Sequence, residues 1–199
     1  TKAISRILEK NHIRNAVICS KEMCFALMGI SINDTLLDII VNDMIQKTVE
    51  INNCACSAII SNPLSDYLKL ADTYQKLKEG FHIRMIRKQQ WQYIFLDELQ
   101  YDRIMLHISE DTEVHQFIRC KLGPLVEYDR AHDTQLLETL EALIQNHNSR
   151  KLAAESLFLH RNTMVHRINK IEEVLHCSLD DTEIMEQLEF AIKMKMYAH

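Results

Sequence analysis

Glycine stands only at positions 29, 80 and 123, and proline only at 63 and 124. A chain with so few residues that break or reverse the backbone has little room for linkers, so it must be built from regular structure, mostly helical. At 199 residues, with 47% hydrophobic and 26% charged, it can bury one large or two small cores. No run approaches the roughly 18 apolar residues of a membrane span, and "TKAISRILEKNHIRNAVICS" lacks the apolar core of a signal peptide. The expected location is the cytoplasm, with no membrane partner. The first residue is Thr1 rather than methionine, which leads us to expect a piece of a longer protein.

Cys19, Cys24, Cys54, Cys56, Cys120 and Cys177 form no C-x-x-C pair, so most are expected to be buried small hydrophobes. Ten histidines include no H-E-x-x-H motif or other helix-spaced ligand pair beside a carboxylate. No metal site and no cofactor is expected.

The first half reads as α/β. "RNAVICS" and "MCFALMGI" are short apolar runs separated by Ser20, Lys21 and Glu22, which suits a hairpin. "INDTLLDIIVNDMIQKTVE" offers Asn33 or Asp34 as an N-cap and repeats Leu36, Leu37, Ile40, Met44 and Ile45 at helical spacing. "CSAIIS" predicts a strand, and Pro63 opens a helix expected to stop at Gly80. "QWQYIFLDEL" is prone to form a strand, and "RIMLHI" begins a further helix or short element. Strands alternating with helices predict a sheet-and-helix sandwich over 1–122.

The pattern changes at Gly123 and Pro124, the one Gly-Pro step of the chain, which predicts a break and a second domain over 123–199. Beyond it the spacing is almost wholly helical. Asp133 or Thr134 is expected to cap "QLLETLEALIQNH", Asn148 or Ser149 to cap "RKLAAESL", and Asn162 or Thr163 to begin the next helix. "DDTEIMEQLEFAIKMKMY" closes the set, with Ile184, Leu188, Ala191 and Ile192 on one face.

The two middle helices are joined by only a few residues and carry Ala153 and Ala154 where close approach needs small side chains, which is a helix-turn-helix pattern. If Val165, Ile168, Ile171 and Leu175 face inward, Asn162, Thr163, His166, Arg167 and Lys170 are left on the outer side, where a recognition helix meets base edges. Arginine forks onto guanine and asparagine onto adenine, while Ser149, Arg150, Lys151 and the helix N-termini suit phosphates. His160 is open between a cap at the turn and a phosphate contact.

Charge is consistent with that assignment. Over 129–199 there are eight Lys and Arg against twelve Asp and Glu, yet 149–171 carries Arg150, Lys151, Arg161, Arg167 and Lys170 against Glu155 alone, net +4. The positive charge is concentrated on the helix pair within a chain of net charge −5. A basic run of this length also fits the solvated face of an ordinary amphipathic helix, and spacing alone leaves both readings open.

The stretch "LGPLVEYDRAHDTQLLETLEALIQNHNSRKLAAESLFLHRNTMVHRINKIEEVLHCSLDD" resembles the C-terminal helix-turn-helix domain of PucR and CdaR-type bacterial transcription regulators, in "LGPL", "YDR", "LLETL", "AAESLFLHRNT" and "HRINKIEE" in that order. The resemblance implies a sequence-specific regulator that binds double-stranded DNA and is no enzyme. Arg161 to Lys170 then form the recognition helix, with Asn162, Thr163, His166 and Arg167 as DNA contacts. A single such domain on an acidic background binds weakly, so a homodimer or higher oligomer is expected. "CSAIISNPLSDYLKLADTYQKLKEG" resembles a strand and helix of the degenerate GGDEF-like module that precedes this domain in many members. The Gly-Gly-Asp/Glu-Glu-Phe motif itself is missing, so cyclase activity is not expected. The alternative is a nucleotide- or small-molecule-binding module in the first domain, although no glycine-rich phosphate loop is present. The effector is unknown.

Overall fold

The computed structural model describes residues 2–19, 23–29, 34–53, 55–87 and 92–198, without the side chains of residues 34 and 35. The chain divides into two compact units, Thr1–Gln100 and Tyr101–His199.

The first unit contains α1 (Lys2–Lys10), β1 (Arg14–Cys19), β2 (Cys24–Gly29), α2 (Asp34–Asn52), β3 (Ala58–Ile60), α3 (Leu70–Arg87) and β4 (Tyr93–Phe95). The expected hairpin forms: β1 and β2 pair antiparallel, with Arg14 opposite Gly29 and Cys19 opposite Cys24. Its expected turn residues, Ser20, Lys21 and Glu22, and the expected cap Asn33 lie outside the described residues, as does the Asp34 side chain. Val17, Ala26 and Met28 alternate along the two strands and pack against a core of Ile4, Leu8, Ile13 and Ile40. Ile4 and Leu8, four residues apart on α1, supply its inward face.

β3 and β4 pair in parallel, with α3 between them in the chain as a crossover. Gly80 does not end α3 but lies buried within it. A Cβ at this position would come 2.7 Å from Ile59 Cδ1 and 3.0 Å from Leu99 Cδ1, so glycine is there to let α3 approach β3. Pro63 is followed by irregular backbone and a 3-10 turn at Tyr67–Lys69 before α3 begins. Of the described part of "QWQYIFLDEL", residues 92–99, only Tyr93–Phe95 is strand, and Leu96–Leu99 is a second 3-10 turn.

The described strands form two separate two-stranded sheets, so the single sheet expected of an α/β sandwich is not assembled from them. With three residues each, β3 and β4 offer too short a ladder to organise a wider sheet. Cys19 and Cys24 are joined by a disulfide, Cys56 and Cys177 are half-buried and Cys120 is exposed, so these five are not the buried hydrophobes expected. Cys54 lies outside the described residues. An open groove beside α1 and α2, about 380 Å³, is lined in part by Lys2, Arg6, Cys24, Thr48 and Asn52.

The second unit is helical: α4 (Gln100–Ser109, beginning on the last residue of the first unit), α5 (Thr112–His132), α6 (Leu136–Gln145), α7 (Arg150–Ser156), α8 (Arg161–Leu175) and α9 (Thr182–Tyr197). Gly123 and Pro124 do not break the chain: α5 runs through them, and the boundary expected at 122/123 falls inside this helix. Leu122 and Leu125, both buried, hold α5 to the core on either side of the Gly-Pro step. Pro124 is exposed, so the backbone hydrogen bond it cannot donate is lost where water can replace it.

The core of this unit joins Leu122 and Leu125 to Leu136, Leu140 and Leu143 of α6, Ala153 and Ala154 of α7, Met164, Ile168 and Ile171 of α8, and Leu188, Ala191 and Ile192 of α9. At its edge the Tyr197 hydroxyl donates to the buried Asp102 carboxylate, and Ser109 Oγ lies 2.8 Å from the Leu106 carbonyl. A buried carboxylate needs such partners. Among the described residues no helix is long and apolar enough to cross a membrane, and no group of three or more His, Cys, Asp or Glu could hold a metal ion.

Candidate nucleic-acid interface

α7 and α8 are joined by four residues, 157–160, and their geometry is set by local hydrogen bonds. Ser149 caps α7, its hydroxyl accepting from the Leu152 N–H at 3.4 Å. Ala153 and Ala154 are buried, and their small side chains let α7 pack closely on its neighbours. The exit from α7 is a Schellman turn, in which the Leu159 N–H donates to the Ala154 carbonyl at 2.8 Å and the Phe158 N–H to that of Glu155 at 3.1 Å. Such a turn needs a left-handed residue. Phe158 takes that role with φ 54°, and its side chain is 97% exposed.

α8 begins at Arg161, one or two residues before the start read from spacing and at the residue the resemblance implies. His160 is its N-cap, with Nδ1 accepting from the Asn162 N–H at 3.3 Å, the cap at the turn that was one of its two expected roles. Met164, Ile168 and Ile171 are buried at positions i, i+4 and i+7. Val165 is therefore not inward as expected but 38% exposed, and Met164 takes its place in the core. Leu152, expected on the apolar face of α7, is likewise 49% exposed.

Rotating this register outward gives Asn162, His166, Asn169 and Glu173 as the row opposite the core, all exposed, flanked by Thr163 and Val165, with Arg161 exposed at the first residue of the helix. Asn162, Thr163 and His166 are thus brought together as the sequence led us to expect. Asn169 and Val165 are additions that the reading missed. Their signal was the i, i+4, i+7 spacing itself, once it is centred on Met164 rather than Val165.

Arg167 points elsewhere. Its guanidinium donates to Thr139 Oγ1 at 3.1 Å and Gln135 Oε1 at 3.3 Å, and so ties α8 to the start of α6. The same end of α6 is held by Asp129, whose carboxylate accepts from the Leu136 and Leu137 N–H groups at 2.8 and 3.0 Å and from the Thr134 hydroxyl at 2.6 Å. The expected caps do not act there: Asp133 instead ends α5 in the left-handed region, and α6 follows Gln135 without a side-chain cap from that residue. Burial alone would raise the Asp129 carboxyl, but the hydrogen bonds from Leu137, Thr134 and Leu136, aided by the Arg167 charge, bring it below the ordinary 3.8.

The remaining basic residues are only partly free. Arg150 is paired with Asp180 at 2.7 Å, tying α7 to the connection before α9. Lys170 is paired with Glu173 at 2.7 Å and lies 5.6 Å from the centre of the Tyr128 ring. Its ammonium pKa is raised, first by the hydrogen bond to Glu173. Lys151 approaches Glu155 only at 4.0 Å and is 85% exposed along its side chain. Of the five basic residues of the segment, Arg161 and Lys151 are therefore held least, Arg161 exposed at the first residue of α8 and Lys151 4.0 Å from Glu155.

Residues 136–194 match the model of the PucR C-terminal helix-turn-helix domain. The chain is 32% identical over 91 residues to the purine catabolism regulatory protein of Bacillus subtilis (strain 168), covering 46% of this chain and 17% of that protein. It is 31% identical over 133 residues to the proline-responsive transcriptional activator PutR of the same organism, covering 65% of this chain and 32% of that protein. An uncharacterized protein in the pkwA 5′ region of Thermomonospora curvata is 35% identical over 85 residues, 43% of this chain and 47% of that protein. The chain thus spans less than a third of the two regulators, and the second unit carries a PucR C-terminal helix-turn-helix domain homologous to that of PucR-type transcription regulators.

Proposed function

We propose that this chain is the DNA-binding part of a sequence-specific transcription regulator, with α8 as the helix that enters the major groove. The observation that carries this reading is the row Asn162, His166 and Asn169 on α8, exposed and backed by a core that fixes its register. Thr163 flanks the row and Arg161 is exposed at its start, while Ser149 and Lys151 at the start of α7 face phosphates and Arg150 beside them is held by Asp180. Arg167 supports the site by clamping α8 to α6, and His160 supports it by capping α8. Binding is by a homodimer or higher oligomer, since the weak positive field of one domain favours two half-sites.

The first unit is a non-catalytic module in this reading, and β3 with α3 is the part on which its GGDEF-like character rests. Among the described residues its groove offers only Lys2 and Arg6 as charged walls, both exposed, which gives no support to a buried ligand. Fluorescence anisotropy with duplex DNA from upstream of the chain's own gene tests the proposal. Binding that weakens steeply with added salt is expected. Equal anisotropy with and without protein at low salt refutes it.

A further inference from the structure

Resting on that reading, we propose that Val165 and Asn169 are specificity-determining residues that read neighbouring A·T base pairs where the middle of α8 crosses the groove. The two lie four residues apart on one side of the helix, roughly 6 Å between Cβ atoms, which spans adjacent or next-but-one base pairs. Val165 is 38% exposed, and it is the one aliphatic side chain among the exposed residues of α8. Val165 is not among the residues packed into the core of the unit, and its chemistry matches the C5 methyl of thymine, the one apolar group on a major-groove edge. Asn169 is exposed and has no side-chain partner among the described residues. Its carboxamide presents a donor and an acceptor together, as adenine N7 and N6 require.

The neighbouring groups that would favour G·C are occupied. Arg167, whose fork would suit guanine, is spent on Thr139 and Gln135. Glu173, which could accept from cytosine N4, is held by Lys170 at 2.7 Å. Arg161 is the remaining exposed guanidinium of α8 and stands at its first residue, away from the middle. Beside His166, the centre of α8 is therefore left with Val165 and Asn169, whose side chains suit thymine and adenine.

The test uses the full chain and a random-sequence duplex library. Bound duplexes are enriched, and the enriched site is then rebuilt with deoxyuridine at single thymines or 7-deazaadenine at single adenines. Loss of one thymine methyl is expected to weaken the parent about fourfold, the effect of one buried methyl group. Val165→Ala should lose that discrimination. Loss of one adenine N7 is expected to weaken the parent about tenfold, and Asn169→Ala should bind both duplexes alike. Both side chains are exposed, so unchanged thermal midpoints of the variants accompany these results. Enrichment of G·C at the central positions, or variants that keep the parent's sensitivity to both modified bases, overturns the inference while DNA binding stands. A library from which no duplex is enriched overturns the DNA-binding reading and this inference with it.

Discussion

Arg161 and Arg167 stand six positions apart on α8, and the fold uses them in opposite ways. Arg161 is exposed on the first turn, whereas Arg167 is half-buried against α6 with two side-chain acceptors. The same division runs through the rest of the basic segment. Asn162, Thr163 and His166 are turned to solvent, while Arg150 and Lys170 are paired with acids of their own unit. One part of the patch is available to a partner, and the other part holds the first in place. Positive charge in a sequence is thus no measure of positive charge offered to a ligand, because a guanidinium with good acceptors beside it is held by them.

Mutations should separate the holding part from the reading part. The largest effect is expected at Asp129, where Asp129→Ala removes the acceptor of two α6 N–H groups and should cost the second unit about 2–3 kcal/mol in urea unfolding. Because the folded carboxyl titrates below 3.8, its contribution is complete above that value and is lost as the pH falls through the folded pKa. The parent's stability should therefore drop on acidification in a window where Asp129→Asn stays flatter. Equal pH profiles for the two would show that Asp129 is not the residue that holds α6.

Next come the paired substitutions on α8. Arg167→Met should cost about 1.5 kcal/mol of stability, with little change in duplex affinity at temperatures where the protein stays folded. Asn162→Ala should do the reverse, lowering affinity about tenfold with an unchanged thermal midpoint. If both variants lose affinity and neither loses stability, the division between holding and reading is wrong. A smaller gain is expected from Phe158→Gly, which relieves a left-handed phenylalanine and should raise stability by about 1 kcal/mol in the same urea titration. Lys151→Gln should give the smallest change, reducing the slope of log affinity against log salt by about 0.9.

The two glycines inside helices show how much of the fold was legible. Gly80 and Gly123 both look like stop signals, and both lie inside continuous helices. Gly80 is needed because Ile59 and Leu99 come close to it, whereas Gly123 would meet nothing within 4 Å if it carried a Cβ. The difference lies in distant residues, so no local pattern reports it. Helix ends were misread for a related reason: among the described residues the left-handed positions are filled by His12, Asn53, Asp133, His147, Asn148, Phe158 and His176, and by no glycine. Patterns that depend on period were read well. The β1–β2 hairpin, α2, the Leu136, Leu140 and Leu143 stripe of α6 and the Leu188, Ala191 and Ile192 stripe of α9 all follow from alternation or helical repeat.

The candidate interface divides along the same line. From the sequence alone came the helix pair, the local concentration of basic residues that includes Arg161, and Asn162, Thr163 and His166 as an exposed group, because burial of an apolar stripe dictates which residues remain outside. Tertiary structure decided that Met164 rather than Val165 enters the core, that Asn169 joins the outer row, that Asp129 caps α6 across seven or eight residues, and that Arg167 is withdrawn from that row. Those outcomes depend on which acceptors and which cavities another helix brings within 3 Å or so, and a hydrogen bond at that range is set by packing rather than by spacing along the chain.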